Sequence, residues 1–286
     1  MPHGPPAPAF LMCRPTYYTI AYEINPWMSV KRPAVPVRAQ TQWHRLYTLL
    51  TGPLGARVRL LPPHPDVPDL VFTANAGLVH GRLFLRSNFR YPERQREEPL
   101  IERYARRAGY RVVRLDPRYD FEGEGDALWM NGTLVFGFRF RSDAPAHEAL
   151  SRLTGAPALP VELIDRRFYH LDTCFCPVDG RTALWFPGAF DRYGRRVIER
   201  LVRDPIAVSE ADARRFACNA IAVDRAVVIQ AECSRRLARQ LARRGIRLYP
   251  VDLSEFLKSG GSAKCLVLRL WSPTPSGGGP TAGSTP

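Results

Sequence analysis

The chain has 286 residues, 45% of them apolar and 10% aromatic, enough to bury a sizeable core, so global disorder is excluded. Lys plus Arg number 41 against 27 Asp plus Glu, a net charge of +14, but only Lys31, Lys258 and Lys264 are lysines and no run of five basic residues occurs. This is a bias toward arginine spread along the chain, not the clustered footprint of a nucleic-acid binder. Six cysteines without a C-x-x-C pair are too sparse for a disulfide scaffold and badly spaced for zinc.

Residues 1–10 are Pro-rich and are expected to be disordered. Gln40 to Leu50 carries Trp43, Leu46, Tyr47 and Leu50 on one helical stripe. Ala76–Val79 and Arg82–Leu85 read as a hairpin turning at His80-Gly81. A helix over Pro99–Ala108 then ends at Gly109. Asp126–Met130 and Thr133–Phe136 form a second hairpin around Asn131-Gly132, followed by a helix over Ala144–Leu153 that stops at Gly155. Thr173–Val178 and Arg181–Phe186 flank Asp179-Gly180, with a helix over Tyr193–Val202. Ala220–Val223 and Ala226–Ile229 flank Asp224-Arg225, with a helix over Ala231–Arg244 ending at Gly245. X-Gly between apolar runs is the hairpin signal, because a type I′ turn needs positive φ. Residues 11–270 are read as one domain, and 271–286, rich in Gly, Pro and Ser, as a disordered tail. No apolar run approaches the ~18–20 residues that span a bilayer, and no signal peptide is recognisable, so a cytoplasmic location without a membrane partner is expected.

The hairpins repeat. Phe72-Thr73-Ala74-Asn75-Ala76 matches Phe216-Ala217-Cys218-Asn219-Ala220, and Glu122, His170 and Cys265 fall at similar places. The intervals are 47 (75 to 122), 48 (122 to 170), 49 (170 to 219) and 46 (219 to 265). A β-β-α-β unit with a period near 48 implies an α/β propeller-like array, with Met12 to Val35 completing the ring. Equivalent positions converge on the axis, and an amide, a carboxylate, an imidazole and a thiol there argue for a shared site.

Cys265 follows Ser259-Gly260-Gly261-Ser262, where glycines permit close backbone approach around a nucleophile. The bland alternative is a buried structural cysteine, which is the reading for Cys13, Cys174, Cys176, Cys218 and Cys233. His170 and Asp172, two apart at a strand start, are expected to point to one face. Glu122, Glu124 and Asp126 crowd three acids into five positions, and like charges so close raise one another's pKa or must meet cations; calcium would want a longer loop, so no metal is assigned. Together the residues ask for a cationic substrate attacked by a thiolate, and a guanidinium fits.

At this point the sequence resembles the guanidino-group-modifying enzymes of the pentein (amidinotransferase) superfamily. These include dimethylarginine dimethylaminohydrolase, arginine deiminase, arginine dihydrolase and the glycine amidinotransferases. The resemblance covers about residues 11–270. It rests on Pro68 to Asn75, the Phe121-Glu122-Gly123 loop, His170-Leu171-Asp172 and the Ser259 to Cys265 segment. Met12 to Pro15 and Ile24 to Met28 look most like the arginine dihydrolase branch.

The resemblance implies a five-bladed α/β propeller and a covalent mechanism without a cofactor. Cys265 would attack the guanidinium carbon. His170 would protonate the leaving amine and then activate water. Glu122 would orient His170 and keep it protonated. Asp172 and Asn75 would hold the guanidinium nitrogens, and Arg94 and Arg141 would clamp the substrate carboxylate. Asp69, Asn25 and the backbone of Ser259 are further contacts. Asn75 is a departure, because deiminases and dimethylargininases usually carry Asp there; arginine dihydrolases resemble this chain in having Asn. The implied partner is a small molecule, arginine or a derivative, and homo-oligomerisation stays open. Rival readings are a dimethylargininase, an amidinotransferase on the same residues, a non-catalytic member such as a ribosome-binding factor, and a nucleic-acid binder that would be steeply salt-dependent.

Overall fold

A computed structural model describes residues 7–231 and 233–270. The tail expected at 271–286, and residues 1–6 of the N-terminal segment, lie outside the described residues. The first strand, β1 (Ala9–Cys13), begins inside the stretch expected to be disordered. Residues 14–35 contain no helix or strand, so the N-terminal piece supplies one strand and then a long loop. Helix α1 (Pro36–Thr51) follows, with proline in its first turn and Gly52 beyond its end. It buries Ala39, Trp43, Leu46 and Leu50, so the predicted stripe gains Ala39 at its start, while Tyr47 is only partly buried. Strand β2 (Arg57–Leu61) then pairs parallel to β1.

The next four units share one plan. The first has β3 (Gly77–His80), β4 (Leu83–Arg86), the one-turn α2 (Pro92–Gln95), α3 (Glu98–Arg107) and β5 (Arg111–Arg114). The second has β6 (Ala127–Met130), β7 (Thr133–Phe138), α4 (Ala146–Thr154) and β8 (Ala158–Glu162). The third has β9 (Phe175–Pro177), β10 (Thr182–Trp185), α5 (Arg192–Leu201), β11 (Asp204–Ala207) and the short α6 (Glu210–Arg214). The fourth has β12 (Ile221–Val223), β13 (Ala226–Gln230), α7 (Arg235–Arg243), β14 (Arg247–Val251) and the short α8 (Ser254–Leu257). The last strand, β15 (Leu268–Arg269), pairs antiparallel to β1.

Among the described residues five three-stranded sheets result, in which a middle strand is antiparallel to the first and parallel to the third. The fifth sheet, β15-β1-β2, is assembled from both ends of the described chain. First strands meet their neighbours: β15 touches β3, β6 touches β9 and β9 touches β12. The helices cover the sheets, and the apolar core lies between them, with Phe136, Phe175 and Phe256 among its fully buried side chains.

Several local expectations shift for physical reasons. Asn131-Gly132 is the predicted type I′ pair, with φ of 50° and 77°. The first hairpin instead turns at Gly81-Arg82, because His80 pairs with Leu83 and only Gly81 takes positive φ. The Asp179 hairpin has a longer loop, since Val178 bonds to Thr182 and the Asp179 carboxylate accepts from Arg181 N and Thr182 N. Helix α7 starts four residues later than Ala231, where Ser234 Oγ accepts from Leu237 N and caps it. The apolar run from Leu266 to Leu270, after Cys265, forms a strand only over Leu268–Arg269.

What positions the site is a tight turn before each first strand. The backbone bonds are Asn75 N to Phe72 O, Gly125 N to Glu122 O, Thr173 N to His170 O, Asn219 N to Phe216 O and Leu266 N to Ala263 O. Glu122 and His170 therefore open their turns, Asn75 and Asn219 close theirs, and Cys265 lies inside its own. The near-constant spacing in the sequence is real, but only Glu122 with His170, and Asn75 with Asn219, hold equivalent places in their turns; the other intervals joined positions one to three residues out of structural register.

Candidate active site

The five turns deliver their side chains to one cleft. It is lined by Asn25, Asp69, Asn75, Arg94, Arg141, His170, Ser259 and Cys265, together with Ile24, Phe72, Tyr169 and Gly261. Glu122 and Asp172, the other two sequence candidates, stand directly behind it. Glu122 Oε2 accepts from His170 Nε2 at 2.8 Å, and Asp172 Oδ2 accepts from Cys265 Sγ at 3.4 Å. All ten sequence candidates thus gather at one place. His170 opens a turn and Asp172 lies inside it rather than on a strand, so the turn, not strand alternation, brings them together.

The three crowded acids have separate partners. Glu122 pairs with Arg141 at 3.1 Å as well as with His170. Glu124 takes Lys264 Nζ at 2.9 Å and the backbone N–H of Arg269. Asp126 accepts from Ser142 Oγ and Leu171 N. The room for this packing is narrow. A Cβ on Gly125 would come 2.3 Å from Asn75 Nδ2 and 3.2 Å from His170 Cδ2.

Two arginines are held tightly. Arg94 makes a fork to Glu97 at 2.7 and 2.8 Å and donates to Asn75 Oδ1 at 2.7 Å and to the Asp69 carbonyl. Arg141 is stacked between the rings of Tyr91 and Tyr169, at 4.6 and 4.7 Å, and donates to the carbonyl of Ile24. Asn25 accepts from Trp27 N and donates to Ser259 O, so it ties the long N-terminal loop to the segment before Cys265.

The electrostatics of the cleft are dominated by burial of its acids and its thiol. Burial, with the Asp172 charge added, pushes the Cys265 thiol well above its usual pKa. Burial lifts Asp172 to about 7, against the pull of Lys264. Burial also works against the Glu122 carboxylate, but Arg141 and His170 outweigh it and hold its pKa at about 2. Asp69 Oδ1 and Asp172 Oδ1 are buried without a hydrogen-bond partner among the described residues. Burial lowers His170 to about 4, and Arg141 adds to that while Glu122 opposes it. Burial and Arg141 thus favour the neutral imidazole, against the expectation that Glu122 keeps His170 protonated.

The family model for eukaryotic N,N dimethylarginine dimethylhydrolase matches residues 26–272. The chain belongs to the dimethylarginine dimethylaminohydrolase family of penteins. It is 37% identical to the N(G),N(G)-dimethylarginine dimethylaminohydrolase of Mycobacterium tuberculosis, over 91% of this chain and 85% of that protein. It is 44% identical to the bifunctional arginine dihydrolase/ornithine cyclodeaminase AgrE of a Nostoc strain, over 92% of this chain. The match spans 38% of that relative's length. Among solved structures, a substrate-bound mutant of the N-terminal domain of ArgZ, an arginine dihydrolase from the ornithine-ammonia cycle in cyanobacteria, superposes with a TM-score of 0.88. It is 41% identical and covers 92% of this chain and 98% of that one.

Against this family frame, sequence reasoning missed the residues that support the lining. Glu97, which grips Arg94, sits in a helix cap with no motif around it. Tyr169 donates to the carbonyls of Ser259 and Gly260, and only its position beside His170 hinted at the site. Asn219 was visible as the fifth head of the repeat, without a role. Among the described residues, no helix is long and apolar enough to cross a membrane.

Proposed function

We propose that the protein hydrolyses arginine to ornithine, ammonia and carbon dioxide through a covalent bond to Cys265. One observation carries the reading. A buried carboxylate oxygen, Asp172 Oδ1, lacks a donor, while its twin, Oδ2, lies 3.4 Å from a thiol. A guanidinium supplies planar paired N–H donors to such a carboxylate and turns its carbon toward the sulfur. Asp69 Oδ1, the second unpartnered oxygen on the cleft, suits the substrate ammonium.

Binding of the cation replaces the Sγ–H bond to Asp172 and favours the thiolate, whose proton passes to neutral His170. The thiolate attacks the guanidinium carbon. The C–N bond breaks, and His170 returns the proton so that ammonia leaves. His170 then takes a proton from water, hydroxide adds to the thiouronium carbon, and the C–S bond breaks to give the ureido compound and free thiol. A second attack on the ureido carbon expels a second ammonia. Water then frees a carbamate, which loses carbon dioxide and leaves ornithine. The total is arginine plus two waters giving ornithine, carbon dioxide and two ammonia. Asn75 supports the two-step course, because an amide can accept from a guanidinium and donate to a ureido oxygen, whereas a carboxylate can only accept.

The test is product analysis. Purified protein and Cys265→Ala are incubated with arginine and with dimethylarginine, and ornithine, citrulline and ammonia are quantified. Ornithine with two ammonia per arginine, absent in Cys265→Ala, is expected. Asn75→Asp should raise the citrulline share. Citrulline from dimethylarginine alone would transfer the protein to the dimethylargininase reading that the Mycobacterium relative favours.

A further inference from the structure

Asn219 closes the turn that heads the fourth hairpin, and the chemistry above does not use it. It is fully buried, at 0% exposure. Its side-chain amide is saturated. Oδ1 accepts from Ser262 N at 2.9 Å and from Cys265 N at 3.2 Å. Nδ2 has two hydrogens and two acceptors, Asp172 O at 3.1 Å and Cys265 Sγ at 3.1 Å. Its backbone carbonyl accepts a third N–H from the same loop, that of Lys264. One residue therefore ties the N–H groups of Ser262, Lys264 and Cys265 in the nucleophile segment, the sulfur itself, and the backbone of the carboxylate facing that sulfur.

A carbonyl oxygen could hold the loop without touching the thiol. The contact that a purely structural clamp does not need is the Nδ2–H donated to sulfur. A donor aimed at sulfur interacts more strongly with a thiolate than with a thiol, since charge-assisted hydrogen bonds are roughly twice as strong as neutral ones. Asn75 closes the equivalent turn of the first hairpin, and its amide serves other partners. It meets Arg94 and, at 3.5 Å, the Glu122 carbonyl. The two positions share a backbone role and differ in what the amide serves.

We propose that Asn219 is a positioning residue that fixes the Cys265 loop and donates a hydrogen bond to the nucleophilic sulfur, stabilising the thiolate as it forms. The proposal rests on reading Cys265 as the nucleophile. It adds no chemical step, because the thiol proton still moves to His170 and the amide only donates. The neighbouring charges all enter the balance. Asp172 opposes the thiolate directly. Lys264, paired with Glu124, acts on Asp172, and the bound guanidinium favours the thiolate.

The experiment uses the full chain and two variants. Asn219→Asp keeps an oxygen acceptor for Ser262 N and Cys265 N but loses both donors. Asn219→Ala loses all four bonds. Alkylation of Cys265 by iodoacetamide is followed by mass spectrometry from pH 6 to 10, alongside the thermal melt and steady-state rates on arginine. In each variant that retains a cooperative melt, the alkylation rate at pH 8 should fall about tenfold, the thiolate fraction lost when a thiol pKa rises by about one unit. kcat should fall at least tenfold, with KM for arginine changed less than threefold. A folded variant alkylated at the wild-type rate across the pH range overturns the proposal. If neither variant folds, the wild-type Asn219 side-chain amide resonance decides: it should move with the midpoint of Cys265 ionisation, and a resonance that stays still refutes the contact. Alkylation does not require arginine to be the substrate. Absence of turnover with a normal difference in alkylation would therefore count against the substrate assignment and not against Asn219.

Discussion

At Asp172 two demands conflict, and the resolution is measurable. The carboxyl must be ionised to grip a guanidinium, yet burial lifts it to about 7. Below that pH the free enzyme carries a neutral Asp172 with no charge to offer. For the proposed activity, kcat/KM reports ionisation in the free enzyme, so it should rise about tenfold per pH unit below about 7 and flatten above it. Rates on arginine between pH 5.5 and 8.5 check this, and a profile flat through 7 would exclude Asp172 as the group that receives the guanidinium. The residue types at this site are legible in the sequence because a cation and a nucleophile restrict the choice to acids, an imidazole and a thiol. Their protonation is not legible. The neutrality of His170 depends on burial and on Arg141, which lies nearly thirty residues away in sequence and is brought close only by the fold.

Hairpins were easier to find than their turns. Alternating apolar runs mark the strands whatever the connection, whereas turn geometry depends on one or two dihedral angles. The Asp224-Arg225 turn makes the point. Both residues have positive φ, 42° and 59°, the same geometry that Asn131-Gly132 adopts with a glycine in second place. A non-glycine residue in the left-handed region costs roughly 1–2 kcal/mol, partly offset by the larger unfolded-state entropy of glycine. Arg225 recovers little of that, since its hydrogen bond to the Arg244 carbonyl is exposed. Arg225→Gly should therefore stabilise the protein by about 1 kcal/mol, or ~2 °C in Tm. Gly132→Arg should do the reverse in the sister hairpin. Thermal melts of the pair test whether the turn, rather than the side-chain contact, sets the balance. A lower Tm for Arg225→Gly would show that the bond to helix α7 matters more than the dihedral strain.

Across the whole molecule, charge is divided by depth. The period near 48 residues was readable because the unit repeats four times in succession. The fifth sheet was harder to read because its strands come from opposite ends of the chain, β15 and β1, and share no local signal. The same construction puts acids and arginines together inside. Arg94 with Glu97, Arg141 with Glu122 and Lys264 with Glu124 are paired where their side chains are at most 14% exposed. The surplus of 14 positive charges therefore resides on the surface, where Arg106, Arg114 and Arg118 are each at least 60% exposed. Exposed pairs contribute about 0–1 kcal/mol each and are screened by salt, but so is repulsion among the excess arginines, which extends over the whole surface. The buried pairs are screened much less. Raising sodium chloride from about 10 to 150 mM shortens the screening length from about 30 to 8 Å. If net repulsion dominates, Tm should rise by a few degrees over that range, while the pH profile of turnover, set by buried groups, stays in place. A falling Tm would mean that the exposed ion pairs outweigh the surplus charge, and the arginine excess would then be a stabilising network rather than a tolerated bias.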